Sequence, residues 1–212
     1  MEHNFWLDRW QTNQIGFHLP VAHPLLVKHL SALQLAKGAR VFIPLCGKTL
    51  DIAWLLSQGY RLAGAELVEM AIVQLFNELG VPPNITTVGE LKRYSAHNID
   101  IFVGDIFELT ADMLGAVDAS YDRAALVALP SEMRVRYTAH LKTITHRAPE
   151  LLITFEYDQS LVPGPPFSVN AAEVKTHFAD ATLLERNDLA SGLRGLYPAQ
   201  EATWLVGYAQ RR

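Results

Sequence analysis

Arg40-Val-Phe-Ile-Pro-Leu-Cys-Gly-Lys-Thr-Leu-Asp51, followed by a helix-like segment and Arg61-Leu-Ala-Gly-Ala-Glu66, is the stretch that decides the fold. The apolar run Val41 to Leu45 predicts a strand and Gly47 a tight turn. The next segment, up to Gly59, predicts a helix, and Arg61 to Glu66 a second strand. Glu66 stands 19 positions after Gly47, close to the roughly 20 that separate a nucleotide-binding turn from the acid gripping a ribose. A carboxylate suits that task because it has only acceptors and takes hydrogen bonds from both vicinal hydroxyls. The unit points to an adenosine-containing ligand. The competing reading is a structural strand-helix-strand unit with Glu66 facing solvent.

Two phosphate loops fail on the same residues. Gly47-Lys48-Thr49 has the ending of a Walker A loop, but the glycine required five positions earlier is Phe42. The dinucleotide fingerprint G-x-G-x-x-G fails because Gly47 is the only glycine between Arg40 and Gln58. Without those glycines the backbone cannot approach a pyrophosphate. This disfavours an NAD-dependent oxidoreductase of Rossmann type. A cofactor with a ribose and no phosphate fits better, and S-adenosyl-L-methionine is the commonest.

Length and charge narrow the classes. The 212 residues suit one domain with a full core. With 18 Lys and Arg against 22 Asp and Glu, net −4, the chain has no basic footprint for nucleic acid. Arg134, Arg136, His140, Lys142, His146 and Arg147 form the densest positive region. They interleave with Met133, Tyr137, Leu141 and Ile144 at helical spacing, which reads as the wet face of an amphipathic helix. A single cysteine forms no internal disulfide and suits a reducing cytosol. The start Met1-Glu-His-Asn-Phe-Trp lacks a signal-peptide pattern, and no apolar stretch approaches membrane-spanning length. A soluble cytoplasmic monomer is expected.

The rest of the chain alternates helices and strands. Asn4 is expected to cap a helix bearing Trp6 and Trp10, and a second helix is expected from about His23 to Leu35, ended by Gly38. After Glu66 a helix with Met70, Val73, Phe76 and Leu79 inward runs to Gly80. Strands follow at Ile99 to Val103, at Ala119 to Asp122 with Ala124 to Leu129 as a possible extension, and at Leu151 to Tyr157. Helices begin at Ser131 and Ala171. The last strands, Thr182 to Arg186 and Thr203 to Ala209, lack a helix between them and predict an antiparallel pair. The expected fold is α/β: a doubly wound, mostly parallel, seven-stranded sheet with a C-terminal antiparallel hairpin. That is the Rossmann-like sheet of class I S-adenosylmethionine-dependent methyltransferases. One domain spans residues 1–212, with N-terminal helices at about 4–35 covering the cofactor site.

Ligands bind outside the carboxyl ends of strands in such sheets. That rule selects Leu45 to Gly47, Glu66, Asp105 to Phe107, Asp122 with Arg123, and Glu156 to Gln159. Arg123 either orients an anion, as a planar fork that stays protonated, or pairs with its neighbour Asp122. Trp10 is either core or a lid over the cofactor. Cys46 reads as a small buried thiol. His18 and His23 do not form H-E-x-x-H, and no Cys/His set has zinc spacing, so no metal is expected.

Several blocks carry a family resemblance. Phe5-Trp-Leu-Asp-Arg-Trp10, Ile15-Gly-Phe-His18, Pro44-Leu-Cys-Gly-Lys-Thr-Leu-Asp51, Gly104-Asp-Ile-Phe107, Tyr121-Asp-Arg-Ala-Ala-Leu-Val-Ala-Leu-Pro130, Glu156-Tyr-Asp-Gln159 and Gly164-Pro-Pro-Phe-Ser-Val169 run in order. Together they resemble bacterial thiopurine S-methyltransferases. The resemblance implies methyl transfer from S-adenosylmethionine to sulfur in thiopurines or other small aromatic or heterocyclic thiols, and extends to selenium and tellurium compounds. It implies that Trp10, Leu45, Glu66 and Arg123 contact the cofactor. Gly47, Asp105 and Ile106 join them at the strand ends. Phe17, Pro166 and Phe167 in the matched blocks, with Arg194, are assigned to the substrate side. From Asn187 to Gln200 the chain departs from the family pattern. A non-catalytic sensor of an adenosyl ligand is the remaining alternative, since it keeps Glu66 without needing an acceptor pocket.

Overall fold

A computed structural model describes residues 3–207. In chain order the elements begin with α1 (His3–Gln11), α2 (Pro24–His29), β1 (Arg40–Ile43), α3 (Leu50–Ser57), β2 (Arg61–Glu66) and α4 (Glu69–Leu79). Next come β3 (Asn84–Val88), β4 (Leu91–Ala96), β5 (Ile99–Val103), α5 (Ala111–Leu114), β6 (Ala119–Arg123) and α6 (Ser131–Ile144). The chain continues through β7 (Glu150–Tyr157), α7 (Ala171–His177), β8 (Thr182–Asp188) and β9 (Ala199–Val206).

One sheet holds all of these strands in the order β3-β4-β5-β2-β1-β6-β7-β9-β8. Its centre, β5-β2-β1-β6-β7, is parallel, and β9 lies antiparallel between β7 and β8. The centre is apolar because helices cover both faces. Consecutive β1 side chains go to opposite sides: Phe42 packs in one core cluster, Val41 and Ile43 in the other. From β1 the chain moves to β2 on one side and returns to β6 on the other. The strand order reverses there, and the crevice opens at the carboxyl ends of β1 and β6.

The sheet has nine strands rather than the seven expected. The additions, β3 and β4, form an antiparallel hairpin that extends the sheet beyond β5. Four of the five β3 residues are exposed, so no buried face prints an alternating pattern in the sequence. Its two-residue loop is Gly89-Glu90, and Gly89 takes φ +59°, a conformation suited to a tight hairpin.

Other boundaries also move. Asn4 lies inside α1 rather than capping it. The segment His23 to Leu35 splits into α2 and a 3-10 turn, Leu30–Leu33, which ends at left-handed Gln34 before reaching Gly38. On α4 the buried face is Ala71, Ile72, Leu75 and Phe76, while Val73 is exposed. Ala124 to Leu129 do not extend β6: Ala124 takes φ +60° and Leu126–Ala128 form a 3-10 turn. Strand β9 starts at Ala199, earlier than read, because it pairs along the whole of β7. The expected strand end at Ala209 lies outside the described residues.

Helix α6 is not simply wet on its basic side. Arg134 is buried, and its fork donates to both carboxylate oxygens of Glu173 on α7, at 2.6 and 3.2 Å, and to the Leu129 carbonyl at 2.7 Å. This bidentate pair ties α6 to α7. No helix among the described residues is long and apolar enough to cross a membrane.

Candidate active site

The turn after β1 and the end of β2 are built around one carboxylate. Glu66 is buried, and its Oε2 accepts the Gly47 N–H at 2.8 Å while its Oε1 accepts the Val68 N–H at 2.8 Å. Burial raises its pKa above the usual glutamate value, against the N–H groups of Val68 and Gly47, which favour the charged form. The turn is strained: Leu45 takes φ +45° and Gly47 φ +51°. A Cβ on Gly47 would lie 3.0 Å from the Trp10 ring, so the close approach of Trp10 also needs glycine here. Because the Gly47 N–H faces Glu66, it is not offered to a phosphate.

Cys46 closes the turn from beneath. It is buried, and burial pushes its thiol well above the usual range, as expected of an inert core sulfur. Its sulfur stands 3.0 Å from where a Cβ of Gly64 would be, so the two residues fit as a pair.

The roof comes from α1 and the loop after it. Trp10 is buried against Val68 and Ala71, and Phe17 meets both Trp10 and Trp6 edge-on, with centroids 5.8 and 5.9 Å apart. His18 lies beside Lys48. Burial, and then the Lys48 charge, lower its pKa, which keeps the ring neutral near pH 7. Lys48 itself pairs with Glu78 at 2.6 Å.

The far wall is the end of β5. Gly104 N–H donates to the Glu66 carbonyl at 2.9 Å, placing Asp105 and Ile106 beside Glu66. Asp105 is exposed and caps the following 3-10 turn by accepting the Phe107 N–H at 3.0 Å. Across from it, β6 separates Asp122 from Arg123, because adjacent strand residues face opposite sides. Asp122 turns into the core, where Leu126 N–H and Tyr137 OH donate to it at 3.0 and 2.7 Å, and burial pushes its pKa up to about 6. It is therefore not a partner for Arg123. The Arg123 Nε is buried and has no hydrogen-bond partner among the described residues.

These walls enclose a cleft of about 430 Å³, within the range of small-molecule sites. Trp10, Phe17, Leu45, Gly47, Glu66, Asp105, Ile106 and Arg123 all line it. Pro166, Phe167 and Arg194 do not. Tyr157 OH donates to the Pro166 carbonyl at 2.6 Å, the Phe167 N–H donates to the Val127 carbonyl at 2.6 Å, and Arg194 donates to the Pro165 carbonyl at 3.1 Å. Those residues hold the 161–170 loop to the body of the protein. The reading of the sequence missed Met133 and Arg136 as lining residues, because basic residues at helical spacing look alike over solvent and over a cleft. Arg136 stacks on Phe107, its guanidinium carbon 3.7 Å from the ring centroid.

Among the described residues no group of three or more His, Cys, Asp or Glu side chains is placed to hold a metal ion.

Comparison with known proteins gives the family and the fold. The family described as thiopurine S-methyltransferase (TPMT) matches residues 1–198. A thiopurine S-methyltransferase of Xanthobacter autotrophicus is 55% identical over 210 residues, covering 97% of this chain and 99% of that protein. The one from Gluconobacter oxydans is 48% identical over 203 residues, covering 94% and 92%. Among solved structures, 1,6-didemethyltoxoflavin-N1-methyltransferase of Burkholderia thailandensis, with S-adenosylhomocysteine bound, superposes with a TM-score of 0.65. It is 16% identical, and the match covers 96% of this chain and 86% of that one. Magnesium protoporphyrin IX methyltransferase of Synechocystis, also with S-adenosylhomocysteine, gives 0.60 at 14% identity, covering 96% and 95%. At such identities the likeness is one of fold, that of S-adenosylmethionine-dependent methyltransferases. The close relatives carry the assignment further, and by them the chain belongs to the thiopurine S-methyltransferase family.

Proposed function

We propose that this chain methylates the sulfur of small aromatic or heterocyclic thiols, thiopurines among them, and accepts selenium or tellurium compounds at the same position. The observation that carries this reading is the meeting of two groups in one cleft. Glu66 presents acceptors at the end of β2, and Arg123 presents, at the end of β6, a buried N–H without a partner among the described residues.

The donor set fits the cofactor. Each Glu66 oxygen accepts one backbone N–H and keeps a lone pair for a ribose hydroxyl. The Asp105 carboxylate, exposed in the cleft, is suited to accept from the exocyclic amine of adenine, with Ile106 as an apolar wall. Trp10 and Phe17 cover this end and exclude water. When bound, S-adenosylmethionine supplies a methyl carbon activated by its sulfonium. Arg123 holds an anionic acceptor in line, with a planar fork that stays charged. An aromatic thiol is already partly ionised near neutrality, so alignment supplies most of the acceleration without a strong base.

In this reading the protein works as a cytoplasmic monomer, as one methyltransferase domain with its N-terminal helices over the cofactor. The test is a paired assay with S-adenosylmethionine and either an aromatic thiol or its oxygen analogue. Formation of S-adenosylhomocysteine should be far faster with the thiol. Equal rates, or a faster phenol, would reject sulfur as the acceptor.

A further inference from the structure

Asp105 lines the cleft, and its carboxylate is aimed by its own turn. Oδ1 accepts the Phe107 N–H at 3.0 Å, which leaves Oδ2 for a ligand. The direction of that oxygen therefore follows the backbone of Ile106 and Phe107. On the sheet side the turn is anchored by the Gly104 N–H, which donates to the Glu66 carbonyl at 2.9 Å. On the other side it is held by α6.

Helix α6 holds the turn through two residues one helical turn apart. The Arg136 guanidinium lies over the face of Phe107, 3.7 Å from the centroid, and the His140 ring meets that ring edge-on at 5.4 Å. His140 also reaches the backbone, with Nε2 standing 2.8 Å from the Ile106 carbonyl. A carbonyl only accepts, so Nε2 carries the proton and donates. The same carbonyl takes the Leu109 N–H at 3.1 Å, closing the 3-10 turn Ile106–Glu108. Bonds inside the turn set its shape, and the bond to α6 sets its tilt. His140 is half-buried and is not among the residues that line the cleft, so its effect on a ligand passes through the turn.

We propose that His140 is a positioning residue for cofactor recognition. Through its bond to Ile106 it holds Asp105 where Oδ2 meets the exocyclic amine of adenine, and so sets the preference for adenine over a 6-oxo purine. The proposal rests on the reading above that Asp105 accepts from that amine. A 6-oxo purine presents a carbonyl oxygen at the same place, which an anionic acceptor repels.

The test titrates S-adenosylhomocysteine and S-inosylhomocysteine into wild type, Asp105→Asn, His140→Phe, His140→Gln and the Asp105→Asn, His140→Phe double variant. Only binding is measured, so the result does not depend on which acceptor is methylated. Wild type should prefer the adenosyl ligand at least about tenfold, and Asp105→Asn should remove most of that preference. His140→Phe keeps a ring against Phe107 and loses the donor. Its preference should fall about threefold or more, through weaker adenosyl binding, as expected for loss of one hydrogen bond. His140→Gln restores a donor and should stay within about twofold of wild type. The double variant should lose no more preference than Asp105→Asn alone, because His140 acts through Asp105. Melting temperatures check folding, and His140→Leu replaces His140→Phe if the latter does not fold. A preference in His140→Phe within about twofold of wild type overturns the proposal. So does an equal weakening of both ligands, which marks a packing role, or a loss in His140→Gln as large as in His140→Phe. If wild type shows no preference, or Asp105→Asn keeps it whole, the reading of Asp105 fails and the proposal with it.

Discussion

Gly47 N–H donates to Glu66 Oε2 across 2.8 Å, joining the end of β1 to the end of β2. One bond thus commits the turn's glycine donor and aims the carboxylate. A loop arranged this way has an anion where a pyrophosphate would need N–H groups. It also explains why the spacing between the two residues matters, since both must reach the carboxyl edge of adjacent parallel strands.

Replacing Glu66 tests that arrangement directly. Glu66→Ala should weaken S-adenosylhomocysteine binding at least about tenfold, because charge-assisted bonds are worth roughly 1.5–3 kcal/mol each. The pH dependence has a definite sign. Burial raises the Glu66 pKa, and the protonated acid loses acceptor capacity, so wild-type affinity should fall on acidification, starting above the normal value of 4.5. Glu66→Gln should bind weakly at every pH and lack that slope. Calorimetric titration across the acid range reads both.

Gly47→Ala should cost about 1–3 kcal/mol of stability, from the left-handed backbone and the crowding of Trp10. The same displacement should weaken S-adenosylhomocysteine binding. Denaturant unfolding beside a titration checks both effects. A neutral substitution would mean that the turn is not held as described.

Arg123→Met should abolish turnover without lowering the melting temperature. A buried N–H without a partner costs the unliganded protein stability, about 1–3 kcal/mol for a fully buried group, and removing it relieves that cost. Arg123→Lys keeps the charge, loses the fork and should turn over more slowly than wild type. A clear drop in melting temperature for Arg123→Met would assign the residue a structural role.

Asp122→Asn separates the core acid from its neighbour in the site. Burial raises the Asp122 pKa from 3.8 to about 6, so the folded state holds a proton that the unfolded chain has released in that interval. Its contribution is therefore fully present below the unfolded value and is lost as pH rises through the folded one. Asn carries no such penalty. The melting temperature of Asp122→Asn relative to wild type should rise between about pH 4 and 7. A constant difference would show that Asp122 is ionised throughout.

The unit from Arg40 to Glu66 was legible because β1, the turn and β2 are consecutive, and their apolar runs report burial on both faces. The terminal antiparallel pair was legible from a missing helix. By contrast, β3 hides because most of its residues face solvent, so its pairing is a property of the partner strand. The α4 stripe is legible in part: Phe76 is buried and Met70 and Leu79 pack against the core, but Val73 is exposed, because the helix's apolar residues fill more than one face and the sequence cannot say which one meets the sheet. At the site, strand-end residues such as Glu66 and Asp105 follow from topology alone. Arg136 does not, since only the packing of α6 on Phe107 turns a surface-like arginine toward the cleft. Arg194 is the opposite case: its side chain donates to the Pro165 carbonyl and is not among the residues that line the cleft.

The most direct test of the central claim is a reaction of purified protein with isotope-labelled S-adenosylmethionine and an aromatic thiol, read by mass spectrometry. The account predicts one labelled methyl group on the thiol sulfur and an equal yield of S-adenosylhomocysteine. Tight S-adenosylhomocysteine binding with no label on any thiol, selenium or tellurium acceptor would contradict it, and would leave the cleft as a sensor of the adenosyl ligand.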